Sequence, residues 1–312
     1  MAFPRVCKIT SALSLCWLAA CGSVAERDAG SATVVSVTSS TDDGGYGSGA
    51  TIDIQVTFSE AVTVTGTPQI TVNSGAPAVD YADGSGTETL TFTYTVADGE
   101  QADDLDVTEL SANDGAITAA ETDVDLTLPV AGGPSSLSGS KDLVVDAVAP
   151  AVTGVTSPNA DGGYSVGALI SVDVVFSEPV VVTGVPLLTL GNGAPPIPYT
   201  IGSGTSTLSF EYTVDAGQDT DDLDYADADA LDLNGGTIED AIGNTAVVSL
   251  PAPGADGSLS ANKDLAVCTP GQTDACAGTS CKQLLDDGWS VGNGSYWIKP
   301  ASTPIQVFCD MN

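Results

Sequence analysis

Apolar and polar residues alternate along much of the chain, most clearly over residues 51–66. An apolar side chain occupies every second position there: Ile52, Ile54, Val56 and Phe58. Successive side chains of a strand point to opposite faces, so this period of two predicts a β-strand with one buried face. The run returns at residues 169–184, where nine of the 16 positions are identical at a constant offset of 118. Two copies of one domain therefore make up most of the chain.

Each copy carries a second alternating run, and turn clusters such as Asn73-Ser74-Gly75 separate the runs. No stretch of ten residues has helical periodicity. About seven short strands in roughly 115 residues is the size and spacing of an immunoglobulin-like sandwich. We therefore predict an all-β fold with two tandem immunoglobulin-like β-sandwiches, a first repeat at 32–146 and a second at 151–267, followed by a small disulfide-bridged stub at 268–312.

The junction between the repeats is short and ends in Pro150. Proline fixes its own φ, so we expect the two sandwiches to stand in line with limited swing.

Both copies also share a longer motif. It runs Gly-Tyr, alternating apolar residues, Phe-Ser-Glu, Val-x-Val-x-Gly-x-Pro and then Thr-Leu-x-Phe-x-Tyr-Thr-Val. This motif resembles bacterial Ig-like repeats, which recur in tandem in large surface and adhesin-type proteins. The resemblance implies a spacer or adhesion module, not a catalyst.

Charge and composition exclude several functions. There are 41 Asp and Glu against 7 Lys and Arg, so the surface repels phosphate backbones and nucleic-acid binding is excluded. There is no histidine, which removes Ser-His-Asp and Cys-His catalysis and His-ligated metal sites. Carboxylate-only chemistry such as glycoside hydrolysis remains open. The Asp and Glu residues are too numerous for any pair to stand out.

The N-terminus predicts export. Arg5 and Lys8 precede a mostly apolar run that is too short to span a bilayer and ends Leu18-Ala19-Ala20-Cys21. This resembles a bacterial lipoprotein signal peptide. The resemblance implies removal of residues 1–20, lipidation of Cys21, a lipidated tether over 21–31 and an outer-membrane location at the cell surface. The alternative is an ordinary secretory signal with a chance cysteine at its end.

Cysteine placement fits an exported chain. Of seven cysteines, Cys7 and Cys16 lie in the signal and Cys21 in the lipidation motif. The other four are confined to the last 45 residues: Cys268, Cys276, Cys281 and Cys309. Such clustering indicates disulfides. Zinc is the alternative, but the spacings lack paired Cys-x-x-Cys knuckles.

The C-terminal segment carries another family pattern. A cysteine opens Cys281-Lys-Gln-Leu-Leu, Gly294-Ser-Tyr-Trp-Ile-Lys-Pro follows, and Val307-Phe-Cys-Asp closes it. This resembles the opening of a fibrinogen C-terminal-like domain, with Phe308 in the place of a tyrosine. The resemblance implies a short helix at Cys281, two strands and a bridge from Cys281 to Cys309, leaving Cys268 to pair with Cys276. The larger body of that family, which holds its ligand pockets, does not follow, so we expect the domain to be either truncated or naturally short.

Several acidic positions recur and are candidate calcium ligands, because calcium takes carboxylate and carbonyl oxygens from loops. They are Glu60, Asp103, Asp104, Asp106, Asp142, Glu178, Asp221, Asp222 and Asp224. No Asp-x-Asp-x-Asp-Gly loop with a distal Glu is present. We therefore favour the interpretation that they are polar turn residues, with calcium binding as the alternative.

The combined interpretation is a non-enzymatic cell-surface lipoprotein. Its lipid binds the membrane, and its repeats carry an adhesion or recognition element whose partners would be glycans or surface proteins. One alternative is a purely structural surface spacer. The other is a carboxylate-dependent polysaccharide hydrolase, against which the duplication of the repeats argues.

Overall fold

The computed structural model describes residues 31–311, and these form an all-β architecture with a disulfide-bridged C-terminal region. The predicted fold class is thereby confirmed. The predicted signal peptide, Cys21 and nearly all of the tether lie outside the described residues. No helix within residues 31–311 is long and apolar enough to cross a membrane.

The first repeat consists of eleven strands and one short helix. They are β1 Val34–Ser39, β2 Gly44–Tyr46, β3 Thr51–Thr65, β4 Gln69–Val72, β5 Val79–Asp83, β6 Thr87–Thr95, β7 Gln101–Ala102, β8 Val107–Ser111, β9 Ala116–Ala119, β10 Thr122–Asp123, α1 Leu137–Ser140 and β11 Leu143–Asp146.

The second repeat follows the same plan. Its elements are β12 Val152–Thr156, β13 Gly162–Tyr164, β14 Leu169–Thr183, β15 Leu187–Leu188, β16 Ile197–Ile201, β17 Thr205–Thr213, β18 Leu231–Asp232, β19 Thr237–Glu239, α2 Leu259–Asn262 and β20 Leu265–Val267.

The predicted strand at residues 51–58 is the first half of a longer one. β3 runs for 15 residues, and its register against β6 shifts between Thr57 and Val62. Before this bulge β3 pairs with β1 and β6. After it Val62 still pairs with Thr87 of β6, and Thr63 to Thr65 pair with β9. β14 repeats the pattern, with its shift between Val175 and Val180. The Phe-Ser-Glu motif therefore marks a bulge at which one strand changes partners.

Each repeat closes its core between two sheets. In the first repeat the large sheet runs in the order β10-β9-β3-β6-β5-β4-β8, and a small sheet runs β2-β11-β7. The apolar face of β3 and β6 packs with Leu143 and Val145 of β11 in one cluster of buried residues. An equivalent cluster in the second repeat joins β14 and β17 to Leu265 and Val267.

The strands are more numerous than the seven predicted for each repeat, and several of them have only two residues. Tight turns and bulges interrupt the ladders, and glycine makes some of these turns feasible. Gly66 has a φ of +71°, and a Cβ on it would come within 2.7 Å of the Gly115 Cα. Gly184 and Gly236 meet in the same way in the second repeat. This close approach brings β9 and β19 against the end of the long strands.

The C-terminal segment is a small unit. Helix α3 Cys281–Asp286 is capped by Ser280, whose hydroxyl accepts from the N–H of Gln283. It is followed by β21 Gly294–Ile298 and β22 Ile305–Cys309, which pair as an antiparallel hairpin. Its core contains Leu284 and Tyr296, both buried.

Disulfides join Cys268 to Cys276 and Cys281 to Cys309. These are the two pairings that the sequence analysis expects. The second bridge ties the start of α3 to the end of β22, and so closes the unit around a core that is too small to hold it alone.

Candidate functional site at the repeat junction

Two hydrogen bonds donated by the second repeat hold the junction between the repeats. The N–H of Val247 donates to the carbonyl of Pro150 at 2.7 Å, which fixes the linker to the second repeat. The side-chain amide of Asn244 donates to the carbonyl of Asp146 at 2.8 Å, which reaches the last residue of β11. These bonds attach the second repeat to the linker and to the end of β11.

The loop after β19 is built around the buried carboxylate of Asp240. One of its oxygens accepts from the backbone N–H groups of Ile242, Gly243 and Asn244 at 2.7–2.9 Å. The other accepts from the Asn244 side chain at 2.6 Å. Burial disfavours the charged form, but the hydrogen bonds from Asn244 and the loop outweigh it and lower the pKa of Asp240. Asp240 is therefore ionised and its loop is held in one shape.

Three carboxylates meet at this junction. Asp146, Glu178 and Asp240 place carboxylate oxygens within 4.8 Å of one another. β11 supplies the first, the bulge of β14 the second and the Asp240 loop the third. Burial, and then the charges of Asp146 and Asp240, raise the pKa of Glu178. No other group of three Cys, Asp or Glu side chains comes this close within residues 31–311.

An apolar contact completes the first junction. A Cβ on Gly45 would lie 2.9 Å from the side chain of Ile242, so the absence of a side chain at Gly45 lets Ile242 pack onto β2. Gly47 is also close, since a Cβ there would lie 3.2 Å from the side-chain oxygen of Asn244. The second repeat thus sits on the Gly-Gly-Tyr strand of the first.

The equivalent surface of the second repeat, its own Gly-Gly-Tyr strand β13, carries the C-terminal segment. A Cβ on Gly163, the counterpart of Gly45, would lie 2.3 Å from the Ala275 carbonyl oxygen and 2.7 Å from the Cys276 sulfur. β20 pairs with β13 as β11 pairs with β2, so Cys268 takes the place of Asp146. A disulfide stands at the second junction where a carboxylate stands at the first.

Two of the predicted calcium ligands are instead engaged with their own loops. Asp106 is buried and accepts from the N–H of Val107 at 2.9 Å and from the hydroxyl of Ser138. Asp224 accepts from the N–H of Tyr225 at 2.9 Å and from the hydroxyl of Ser260 at 2.6 Å. In both repeats this aspartate ties the loop before the edge strand to the short helix.

The other candidates, Glu178 excepted, lie outside the carboxylate group at the junction. Asp104 is near Asp142 and Asp106, and burial followed by these two charges raises its pKa. Burial, followed by the charge of Asp264 among others, raises the pKa of Asp222 although the N–H of Leu265 donates to it. Six of the candidates are exposed: Glu60, Asp103, Asp104, Asp142, Asp221 and Asp222. Of the nine residues, only Glu178 belongs to the carboxylate group at the junction.

Asp146 and Asp240 were not among the predicted site residues. Asp146 ends a predicted strand, and Asp240 lies in a segment where the two copies diverge. The available signal was Asp240-Ala-Ile-Gly-Asn244, in which an aspartate is followed by turn residues that its carboxylate can cap.

No protein-family model matches the chain, and no curated protein matches it.

Proposed function

We propose that the protein is a non-enzymatic cell-surface lipoprotein. Lipid on Cys21 holds it to the outer membrane, and the two repeats, as Ig-like sandwiches, form a stalk for adhesion or recognition. The observation that carries the proposal is the direct packing of one repeat on the next, in which Asn244 bonds to Asp146 and Ile242 lies on Gly45. Such packing supports a semi-rigid stalk, since most domain pairs without it move freely.

The anchor is tested by changing Cys21 to Ala in cells. We expect the wild-type chain to be labelled by a fatty-acid probe and to sediment with membranes, and the variant to be unlabelled and released. Cys16→Ala is the matched control, because it removes a cysteine of the apolar run and leaves the motif intact. A variant that keeps its label and stays with the membrane would overturn the anchor.

A recognition role at the far end of the stalk rests on the C-terminal unit, with its resemblance to the opening of a fibrinogen-like domain. Its partners would be glycans or surface proteins. Binding to a glycan array or to intact cells by the full-length chain, lost when residues 268–312 are deleted, would support recognition.

A purely structural spacer is the second candidate, and the same inter-repeat contacts favour it. It predicts no specific binding in that assay and a loss of surface presentation when the junction is disrupted. Hydrolysis of a polysaccharide that one Asp or Glu substitution abolishes would contradict both proposals.

A further inference from the structure

The first repeat carries a groove that its copy does not share in the same form. The groove has a volume of about 750 Å³ and lies along β8, the last strand of the large sheet. Its apolar wall consists of Val107, Leu110, Leu126, Leu128 and Pro129. Leu126 and Leu128 are only partly buried, although both contact the core.

The second repeat shows what fills the equivalent space. Val107 faces Val72 across the sheet, and Tyr225 faces Leu190, the counterpart of Val72. Tyr225 is 1% exposed, and its hydroxyl donates to the carbonyl of Pro251, the counterpart of Pro129, at 2.5 Å. The side chain of Tyr225 thus fills the space that the smaller Val107 leaves empty in the first repeat.

An insertion adds a second layer of cover. Leu231 pairs with Leu188 as Leu110 pairs with Ile70, so five residues lie between Tyr225 and Leu231 where two lie between Val107 and Leu110. Within this insertion the carbonyl of Ala228 accepts from the N–H of Leu250 at 2.8 Å.

Leu250 is 4% exposed as a result, whereas its counterpart Leu128 is open to the groove. The second repeat therefore covers itself with a segment of its own, residues 225–230.

The wall of the open groove is acidic. Asp104, Asp106 and Glu109 line it, and no Lys or Arg does so. The electrostatic field at the groove therefore favours an occupant with positive charge, and it disfavours a second copy of this acidic chain.

We propose that the groove of the first repeat binds an extended segment of a partner protein, one that carries an aromatic residue with basic residues beside it. The aromatic ring would lie on Val107 and Leu128 as Tyr225 lies in the second repeat, with a phenol donating to the carbonyl of Pro129. The segment would run along the outer edge of β8 and pair with it as an added strand. This site is separate from the lipid anchor and from the C-terminal unit, so it stands or falls independently of the proposed function.

The test uses the full-length chain and a blocked hexapeptide, Tyr-Ala-Lys-Ala-Lys-Ala. This peptide copies residues 225–230 with each aspartate changed to lysine. Titration followed by amide NMR shifts should give saturable binding that perturbs β8 and the segment around Leu128. Replacing the peptide tyrosine by alanine should weaken binding about tenfold or more, which is the effect of losing a buried aromatic ring.

Two protein variants locate the site. Val107→Tyr fills the groove from within and should abolish binding. Glu109→Lys, on an exposed residue whose change spares the core, should weaken the lysine peptide several-fold and improve binding of the unmodified Tyr-Ala-Asp-Ala-Asp-Ala peptide. Asp229→Lys is the matched control in the second repeat and should change neither affinity.

Three outcomes would overturn the proposal. One is no saturable binding at millimolar peptide, and another is binding that Glu109→Lys and Val107→Tyr leave unchanged. The third is concentration-dependent dimerisation of the wild-type chain, by sedimentation, that Val107→Tyr removes, because the occupant would then be a second copy.

Discussion

The ionised form of Glu178 is disfavoured by the negative charges beside it at the junction. Its carboxyl lies beside Asp146 and Asp240, and Asp240 is already held in its ionised form by loop hydrogen bonds. A carboxyl whose pKa is raised on folding binds its proton more tightly in the folded state. Its contribution to stability is therefore most favourable below its unfolded pKa, and it is lost as the pH rises through the folded pKa.

Glu178→Gln should accordingly stabilise the protein at neutral pH. We expect a higher Tm at pH 7. The gain in the free energy of unfolding should be no more than about 1 kcal/mol, because solvent screens part-exposed charges. The difference from wild type should vanish below about pH 4, where the unfolded carboxyl is protonated as well. Glu60→Gln is the matched control, since Glu60 holds the same position in the first repeat but is exposed and has no such neighbours.

The same melts test the calcium interpretation. We expect chelator and added calcium to leave the wild-type Tm unchanged, because the oxygens of Asp240 already accept hydrogen bonds from its own loop. A calcium-dependent rise in Tm that Glu178→Gln removes would show that the three carboxylates bind the ion.

Two glycines give a second test at the residue scale. Gly163→Ala should destabilise the protein by about 1–3 kcal/mol, the range for overpacking, because the new Cβ meets the fixed backbone carbonyl of Ala275. Gly45→Ala should cost less, since the atoms it meets belong to the mobile end of the Ile242 side chain. Thermal melts of both variants check the order.

A double variant shows whether the cost of Gly45→Ala comes from the contact with Ile242. Ile242→Ala makes room for the Cβ, so Gly45→Ala should be nearly neutral in that background. Equal costs in both backgrounds would mean that the contact between Gly45 and Ile242 does not limit the junction.

At the scale of elements, strand periodicity predicted the long strands well. Ile52 to Phe58 and Leu90 to Val96 alternate because one face is buried, and all these apolar residues are in the core. The helices α1 and α2 were missed because four residues are too few to show a helical period. Their signal is the cap: Ser136 and Ser258 accept from the N–H three residues on.

The site was harder to predict than the strands. Its three carboxylates come from β11, the bulge of β14 and the loop after β19, so no local pattern joins them. Glu178 was found because its motif recurs, but Asp240 has no acidic counterpart, since Ala119 stands in its place in the first repeat. The groove depends on a difference between the copies, whereas the predictions from sequence rest on the motifs that the copies share.

The C-terminal unit depends on its second disulfide. Changing Cys281 and Cys309 together to Ser should lower the stability of this unit by about 3–4 kcal/mol, the chain-entropy value for a loop of this length. Because the buried core is small, we expect α3 and the hairpin to unfold while the repeats melt as before. Scanning calorimetry, and limited proteolysis that cleaves within the segment from Cys281 onward, would show this. Loss of the main transition as well would mean that the repeats and the unit unfold together.

For the molecule as a whole, the net charge and the packing of the repeats both bear on how its surface meets other molecules. A net charge of −34 keeps such a chain apart from its copies and from nucleic acid. If the protein is the stalk proposed above, the packing of the second repeat on the first would present exposed surfaces such as the groove in a constant orientation.

The equivalence of Asp146 and Cys268 has a consequence for how the molecule responds to its surroundings. The first joint brings together three carboxylates, whose repulsion salt screens and protonation of Glu178 relieves. The second is tied next to a covalent bridge, which acid leaves intact and a thiol reductant cleaves. Two joints made on equivalent surfaces of one duplicated unit therefore respond to different conditions, the first to pH and ionic strength and the second to a thiol reductant.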